Sequence, residues 1–408
     1  MRLPHYKAIK SRRILHEIAN CRKLKRYTKV CHHKMKIDII FFDAGGGHRA
    51  AATALELAIA QRGLGWQVRL VHLQEVLDKI DVFRQVFRLR LEDVYNLLLR
   101  KGWTLGSGFM LRVMHFLIRL YHPLQVWLLK KHWQKDPPDA VLSVVPNFDR
   151  ALFEAWQQVK PGAPYLTVIT DLADFPPHFW LEAQQQIVFC GTARAVQQAN
   201  EILPPGSQII RTSGMVLHPR FYESITVNRN EELAKLGLNP AIPTGIILFG
   251  GYGSRVMPKI IERLASFEGR VQFIVICGKN EKLRRQFQAL KTPLKLHIEG
   301  FTKQIPQLMH LSDFMIGKPG PGSISEALHM KLPVIVERNA FTLPQERYNA
   351  DYVREQGVGL VLDNFKDIAK ALDELLEPAN FARFRAKAAA TQNRAIFEIP
   401  EHLEKLLS

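Results

Sequence analysis

The chain has 408 residues, of which 47% are hydrophobic; this excludes a wholly disordered protein and predicts two folded domains. Its formal net charge is +18, and two segments hold all of it: residues 1–34 have 11 Lys and Arg against Glu17, and residues 79–135 have 11 against three acidic residues. Such concentrated positive charge predicts an anionic partner surface, either nucleic acid or phospholipid.

The cysteines and the hydropathy argue against further classes. The four cysteines are scattered without a Cys-x-x-Cys pair, so neither a zinc site nor a disulfide framework is indicated, and a reducing compartment fits best. No uncharged apolar run reaches the ~18 residues of a membrane span. The most apolar stretch, residues 109–118, contains Arg112. The sequence therefore predicts a protein that does not cross a membrane.

Residues 1–34 form a basic leader without clean periodicity, and a strand pattern begins abruptly at Met35. Two explanations stay open. Either Met35 is the true start of the protein, or the leader is a basic amphipathic extension that lies on anionic lipid.

From Met35 onward, short apolar runs alternate with helical stretches, which is typical of parallel sheets with helices on both faces. The predicted strands are 37–42, 67–72, 140–145, 165–169 and 186–189 in the first half, and 245–249, 271–276, 294–298, 313–316, 333–336 and 358–362 in the second. We therefore expect an α/β protein with two Rossmann-like domains, at 35–225 and 226–385, and a C-terminal helix at 386–408 that could cross back to the first domain. A ligand cleft between the domains follows, because open sheets bind ligands at the carboxyl ends of their strands.

A glycine-rich loop, Gly45-Gly46-Gly47-His48-Arg49, follows the first strand and precedes a predicted helix at 51–60. Glycines let the backbone approach a ligand, and the helix start favours an anion or a polarised oxygen. The same letters fit a dinucleotide-binding turn, or a tight turn needed only for packing. His48 favours a functional interpretation, because it is an ionisable side chain at the carboxyl end of a strand.

A second such loop is Lys318-Pro319-Gly320-Pro321-Gly322-Ser323, which also lies between a strand and a helix. Its glycines and the free N–H groups of the following helix suit a diphosphate. It lacks the Gly-Lys-Ser/Thr ending of an ATPase P-loop. Glu326 is then predicted within the first helical turn, where it could bind a ribose or merely interact with the helix dipole.

Two more segments follow strands in the second half. Gln345 and Glu346 begin a predicted helix at 345–355, where they could face the Gly322 loop or only cap the helix. The segment Phe249-Gly250-Gly251-Tyr252-Gly253 is a further glycine turn. The recurrence of glycine-rich turns between strands and helices in both halves is a more specific signal than any single turn.

Residues 79–135 are too long for one crossover and interleave aromatic with basic residues at helical spacing. They could be a helical insertion with a solvated basic face. We favour a membrane-docking role, since aromatic and basic residues on one helix suit an anionic interface. Nucleic acid is the competing partner and is disfavoured by the glycine-rich loops elsewhere.

Together these motifs resemble the GT-B glycosyltransferases of family 28. They are most similar to monogalactosyldiacylglycerol synthases and diacylglycerol glucosyltransferases, and more remotely to the peptidoglycan N-acetylglucosaminyl transferase. The resemblance runs from about residue 36 to 362. It depends on the two glycine loops, Thr170-Asp171-Leu172 with Pro177-His178, Cys277-Gly278-Lys279-Asn280, Gly300-Phe301, and Gln345-Glu346 with Asn349.

The resemblance implies roles for particular residues. His48 occupies the position of the family's proposed catalytic base, and Asp171 joins it as the second catalytic candidate, on the acceptor side. Glu326 matches the residue that holds the ribose of UDP. The other acceptor-side positions are Gly46, Gly47, Arg49, Pro177 and His178, and the other donor-side positions are Gly251, Phe301, Thr302, Gly320, Gly322, Ser323, Gln345, Glu346 and Asn349. The inter-domain motif, Gly214-Met215-Val216-Leu217-His218-Pro219, departs from the family's usual Gly-x-Pro-x-Arg-Pro.

The expected reaction is inverting transfer of galactose or glucose from a UDP-sugar to a lipid, with diacylglycerol as the expected acceptor. We expect it on an anionic membrane, as a peripheral protein on the cytoplasmic side, without nucleic acid. No Asp-x-Asp occurs in the chain, so no metal or other cofactor is expected. The alternatives are an NAD-dependent oxidoreductase, for which the strand 67–72 offers no acidic ribose ligand, and a UDP-GlcNAc transferase with another lipid-linked acceptor.

Overall fold

The computed structural model describes residues 34–43, 46–78 and 107–407. Most of the basic leader, Gly45 and the first half of the basic insertion lie outside these residues. The contacts divide the chain into two units, Met1–Met35 and Lys36–Ser408, and the elements described here belong to the second unit.

The first half of this unit contains a six-stranded parallel sheet with the strand order β2-β1-β3-β4-β5-β6. The strands are β1 (Lys36–Phe41), β2 (Gln67–His72), β3 (Ala140–Ser143), β4 (Tyr165–Val168), β5 (Ile187–Cys190) and β6 (Gln208–Arg211). The helices described beside them are α1 (Gly47–Gln61), α2 (Leu73–Leu77), α3 (Ser107–Leu120), α4 (His122–Lys135), α5 (Asp149–Val159) and α6 (Ala193–Ile202).

The second half contains another six-stranded parallel sheet, with the order β12-β11-β10-β7-β8-β9. A 3-10 turn (Pro219–Tyr222) and α7 (Arg229–Lys235) precede it. Its strands are β7 (Thr244–Leu248), β8 (Gln272–Ile276), β9 (Leu296–Glu299), β10 (Phe314–Gly317), β11 (Val334–Glu337) and β12 (Gly359–Leu362). Its helices are α8 (Val256–Arg263), α9 (Glu281–Gln288), α10 (Ile305–His310), α11 (Pro321–His329), α12 (Arg347–Gln356) and α13 (Ile368–Leu376), followed by α14 (Pro378–Ala390) and α15 (Ala395–Leu407).

The predicted α/β class with two parallel sheets is confirmed, and each predicted strand overlaps an observed one. The prediction missed β6, whose sequence Gln-Ile-Ile-Arg has only two apolar residues and lies partly exposed at the sheet edge. The helix predicted at 345–355 begins later, because Pro344–Glu346 forms a 3-10 turn before α12.

In each sheet the strand order reverses beside the first strand. β1 lies between β2 and β3, and β7 lies between β8 and β10. Open α/β sheets bind ligands at such switch points, beyond the carboxyl ends of the strands. The loop that leads to His48 follows β1, whereas the loops at Gly250 and Lys318 follow β7 and β10. Topology alone therefore places the predicted glycine loops at the two switch points.

Local sequence signals explain where several helices begin and end. The Thr192 hydroxyl accepts a hydrogen bond from the Ala195 N–H at the start of α6. The Asn280 side-chain Oδ1 accepts one from the Leu283 N–H at the start of α9. Such side chains satisfy N–H groups that have no partner within the helix. Gly357, with φ of 62°, ends α12 in the left-handed conformation that glycine adopts without strain.

The helix α4 is fixed to the first sheet by a buried charge. The Trp133 Nε1 donates to the Asp38 carboxylate at 3.0 Å, and Arg69 binds the same carboxylate through Nε at 2.6 Å and Nη2 at 2.8 Å. Asp38 and Trp133 are fully buried. One face of α4 is thus committed to the core, and its opposite face remains on the surface.

The C-terminal helix α15 returns to the first domain. Arg62 at the end of α1 forms ion pairs with Glu401 and with Glu404, the latter through Nη2 at 2.5 Å. The Glu398 carboxylate accepts a hydrogen bond from the Ser213 N–H at 2.8 Å. The predicted boundary at residue 385 falls inside α14. The chain therefore connects the two sheets twice, once after β6 and once through α15.

Candidate functional site

His48 lies in the first turn of α1, just beyond β1. Gly46 has a φ of 84°, a left-handed conformation that lets the chain turn sharply from the strand into the helix. The His48 Nδ1 lies 3.3 Å from the hydroxyl of Thr170, which follows β4, and its ring centroid lies 5.8 Å from that of Trp180. Burial lowers the pKa of His48 to about 4, against the opposing effect of a hydrogen bond to the Val144 backbone. The imidazole is therefore neutral at physiological pH.

Asp171 follows Thr170 on the loop after β4. Its buried carboxylate accepts a hydrogen bond from the Trp180 Nε1 at 2.8 Å. Burial raises the pKa of Asp171 to about 7, although the Trp180 hydrogen bond opposes the shift. The negative charge of Glu346 raises this pKa further, and the positive charge of Lys318 lowers it. Because Glu346 and Lys318 belong to the second domain, Asp171 couples electrostatically across the cleft.

Trp180 joins the two catalytic candidates, since its ring approaches His48 and its N–H binds Asp171. The Asp174 carboxylate holds the loop around it by accepting from the backbone N–H groups of His178, at 2.9 Å, and Trp180, at 2.6 Å. Neither Trp180 nor Thr170 was among the predicted site residues. Adjacency to the Asp171 motif was the only signal that could have found them.

The remaining acceptor-side predictions lie further out. Pro177 and His178 are exposed, and His178 has a φ of 65°. Arg49 pairs with Asp43 at 2.9 Å and lies 5.0 Å from the centroid of the Phe41 ring. The structure thus places Arg49 in local contacts beside the loop, and it places His178 on the rim.

The loop after β10 prepares an anion site at the start of α11. Gly320 precedes the helix, Pro321 is its first residue, and no side chain caps its N–H groups. Proline has no N–H to leave unsatisfied, so the free donors are those of the next residues, Gly322 and Ser323. The Ser323 hydroxyl donates to the Gly320 carbonyl at 3.2 Å. The positive end of the helix dipole and these N–H groups suit a phosphate.

Glu326 lies one turn further along α11, not within its first turn as predicted, because the helix already begins at Pro321, and it is half-buried. Burial raises the pKa of its carboxyl to about 8. Within the described residues no side chain or backbone group binds this carboxyl. A desolvated carboxyl without a partner costs free energy, so its presence favours ligand binding over a purely structural role.

The predicted pair Gln345-Glu346 lies in the 3-10 turn before α12. Glu346 is buried, and its Oε1 lies 2.5 Å from the Lys318 Nζ. Asn349 is fully buried and donates from Nδ2 to the Pro319 carbonyl at 2.9 Å. Asn349 therefore supports the Gly320 loop from behind, while Glu346 meets the loop through Lys318.

The other donor-side predictions surround the ends of β7 and β9. The Gly251 carbonyl accepts from the Lys279 N–H at 2.8 Å and leaves no room for a side chain on Gly278. Phe301 is 63% exposed, and the Lys279 ammonium lies 5.1 Å from its ring centroid. The Thr302 hydroxyl accepts from the Gln304 N–H at 3.1 Å. An exposed aromatic ring beside a backbone turn can stack against a base.

A cavity of about 640 Å³ lies between α6 and α12 and is separate from these residues. Arg194 and Arg211 enter it from the first domain, and Tyr348 and Tyr352 enter it from α12. None of the predicted site residues lines it. As for metals, the described part of the chain contains no group of three His, Cys, Asp or Glu side chains placed to hold an ion.

The comparisons with solved structures define the class. The chain superposes on MurG of Acinetobacter baumannii with a TM-score of 0.59 and 12% identity, over 91% of this chain and 99% of that one. It superposes on the kitacinnamycin glycotransferase with a TM-score of 0.57 and 13% identity, over 92% and 100%. With two parallel six-stranded sheets and a site between their switch points, the chain has the GT-B fold.

Sequence comparison then adds the enzyme class, which is a glycosyltransferase. Residues 246–403 match the glycosyltransferase family 28 C-terminal domain, which confirms the resemblance seen in the motifs. The monogalactosyldiacylglycerol synthase of Spinacia oleracea is 28% identical over 91% of this chain and 72% of its own length. The probable monogalactosyldiacylglycerol synthase 2 of Oryza sativa subsp. japonica is 27% identical over 90% and 80%.

Proposed function

We propose that this protein transfers a hexose from a UDP-sugar to a lipid acceptor, diacylglycerol, at the surface of a membrane. The observation that carries the proposal is that Asp171, which shares Trp180 with His48, is coupled electrostatically to the Lys318–Glu346 pair on the opposite side of the cleft. An acceptor hydroxyl at His48 and a donor at α11 would meet there. The relatives named above are monogalactosyldiacylglycerol synthases, and a fold neighbour from Anabaena was solved with UDP and glucose.

The proposed reaction is a single displacement. The acceptor oxygen attacks the anomeric carbon, the bond from that carbon to the β-phosphate oxygen breaks, and its electron pair leaves with UDP. The acceptor proton passes to His48. One displacement inverts the anomeric configuration. We propose that the free N–H groups of α11 stabilise the departing diphosphate, so that no metal is needed.

The pKa of His48 limits how it acts. A base with a pKa near 4 is always unprotonated at neutral pH but is too weak to ionise an alcohol before attack. Proton transfer must therefore accompany formation of the new C–O bond, when the attacking oxygen becomes acidic. The imidazolium that forms can donate from Nδ1 to the Thr170 hydroxyl, 3.3 Å away.

Exposed apolar side chains on α3 and α4 support a lipid acceptor. Phe116 and Leu120 on α3 are 64% and 59% exposed, and Leu124 and Trp127 on α4 are 41% and 51% exposed. The Lys131 ammonium lies 5.2 Å from the Trp127 ring centroid. Basic and aromatic residues on one surface suit an anionic bilayer interface. We propose peripheral binding on the cytoplasmic side. Among the described helices, none is long and apolar enough to span a bilayer.

The decisive experiment supplies purified protein with vesicles that contain diacylglycerol and with UDP-galactose, UDP-glucose or UDP-N-acetylglucosamine. Mass spectrometry identifies the lipid product, and proton NMR gives its anomeric configuration. We expect a monohexosyl diacylglycerol of inverted configuration, made equally well in EDTA, and product formation slowed by roughly two to four orders of magnitude in His48→Ala. Transfer from UDP-N-acetylglucosamine alone, or to another lipid alone, would reassign the substrates. No transfer from any donor would refute the proposal.

A further inference from the structure

Lys318 occupies the switch point of the second sheet. It is the first residue after β10, and its Cε lies 3.5 Å from the position a Cβ would take on Gly250 and 3.3 Å from that on Gly320. Gly250 follows β7 and Gly320 precedes α11. The side chain therefore bridges the glycine loops of two adjacent strands, in the place where this kind of sheet binds its ligand.

Lys318 is more exposed than the carboxylate with which it pairs. Its side chain is 36% exposed, whereas the Glu346 carboxylate that it binds is 11% exposed. The ammonium can make three hydrogen bonds, and one of them goes to the Glu346 Oε1 at 2.5 Å. The Lys318 Cε lies next to Gly320, the residue that precedes α11. A cation and uncapped helix N–H groups thus lie around one space, which a dianionic ligand would fill.

We propose that Lys318 is a catalytic residue that binds the β-phosphate of the donor and passes from Glu346 to the leaving group during transfer. This inference rests on the function proposed above. With the site empty, Glu346 neutralises Lys318. When UDP-sugar binds, phosphate oxygens compete for the ammonium, and the Glu346 carboxylate becomes available to the sugar hydroxyls.

The chemical step explains why a mobile cation is useful there. As the acceptor oxygen bonds to the anomeric carbon, the electron pair of the broken bond remains on the β-phosphate oxygen. UDP thereby gains one negative charge, and the acceptor proton leaves on His48. An ammonium beside that oxygen stabilises the transition state more than the bound substrate, which is the condition for catalysis.

The test compares UDP with uridine, which lacks phosphates, by calorimetry. Lys318→Met should weaken UDP binding about 10- to 100-fold, as loss of a charge-assisted hydrogen bond predicts, and should leave uridine binding unchanged. Lys318→Arg should retain most of the affinity. Glu346→Gln should strengthen binding of UDP several-fold, because it removes the anion that competes for Lys318, while sugar transfer falls. Lys370→Met, on the exposed face of α13, is the matched control.

The signs of these effects separate the proposal from a structural role. If Lys318 only holds Glu346 in place, Lys318→Met and Glu346→Gln will both weaken UDP binding, and the double variant will be no worse than either. That result, or an unchanged ratio of UDP to uridine affinity in Lys318→Met, overturns the assignment. Should Lys318→Met fail to fold, Glu346→Gln and Lys318→Arg decide the question alone. Wild-type protein that binds no UDP would instead refute the proposed function.

Discussion

Replacing Glu326 with glutamine should stabilise the ligand-free protein at alkaline pH. Burial raises the pKa of this carboxyl from 4.5 to about 8. Between these values the folded protein keeps a proton that the unfolded chain releases, so the free energy of unfolding falls as pH rises. Glutamine does not ionise, so Glu326→Gln does not lose unfolding free energy in this way as pH rises. The two proteins should therefore have similar stability near pH 4.5 and diverge up to pH ~8.

The size of the divergence follows from the pKa values. At 1.36 kcal/mol per pH unit, the rise from 4.5 to about 8 corresponds to at most ~5 kcal/mol. Since Glu326 is only half-buried and water reaches it, we expect ~1–3 kcal/mol in favour of Glu326→Gln at pH 9. Denaturant unfolding at pH 5, 7 and 9 measures this difference. Glu374→Gln, exposed on α13, is the control.

Binding of the donor should instead favour the wild-type protein over Glu326→Gln. Ribose hydroxyls that donate to the Glu326 carboxylate favour its charged form, so UDP binding at pH 7 should release a proton. Calorimetry in buffers of different ionisation enthalpy measures that proton. Glu326→Gln should abolish the release and weaken binding by ~1–3 kcal/mol. A stability difference that does not change with pH, together with unchanged UDP affinity, would refute the reasoning and leave Glu326 without a role in donor binding.

Three further predictions follow from the site and the surface. His48→Ala should lower kcat by roughly two to four orders of magnitude with nearly normal UDP affinity. The acid limb of the wild-type kcat/KM profile should lie near pH 4 rather than 6.5. An acid limb at pH 6.5 would contradict the argument that burial lowers the pKa of His48. Replacing Phe116 and Trp127 together with serine should reduce vesicle binding roughly tenfold or more without loss of thermal stability, and vesicle sedimentation at low and high salt checks this; undiminished binding would remove α3 and α4 from the docking surface. Asn349→Ala should cost ~1–3 kcal/mol of unfolding free energy by leaving the Pro319 carbonyl buried without a donor, and UDP affinity should fall with it; normal stability would place Asn349 outside the loop support.

Local patterns in the sequence predicted the fold because each strand of a buried parallel sheet is a short apolar run. The runs of β1 and β10 are unmistakable, and glycines follow both. Prediction failed where the pattern was short, as for β6, whose two isoleucines owe their strand conformation to pairing with β5. It misplaced the start of α12 because hydrophobic spacing does not distinguish a 3-10 turn from the first turn of an α-helix.

The candidate site, like the fold, could be predicted only in part from the sequence. The sequence by itself determined that His48, Asp171 and Glu346 stand at the ends of strands or the starts of helices, since motif order and spacing are properties of the chain. Only the tertiary structure brought Trp180 between His48 and Asp171. It alone decided the electrostatics as well, because desolvation and ion pairing depend on neighbours distant in sequence. Burial lowers the pKa of His48 and raises that of Glu326, and no local pattern encodes either shift.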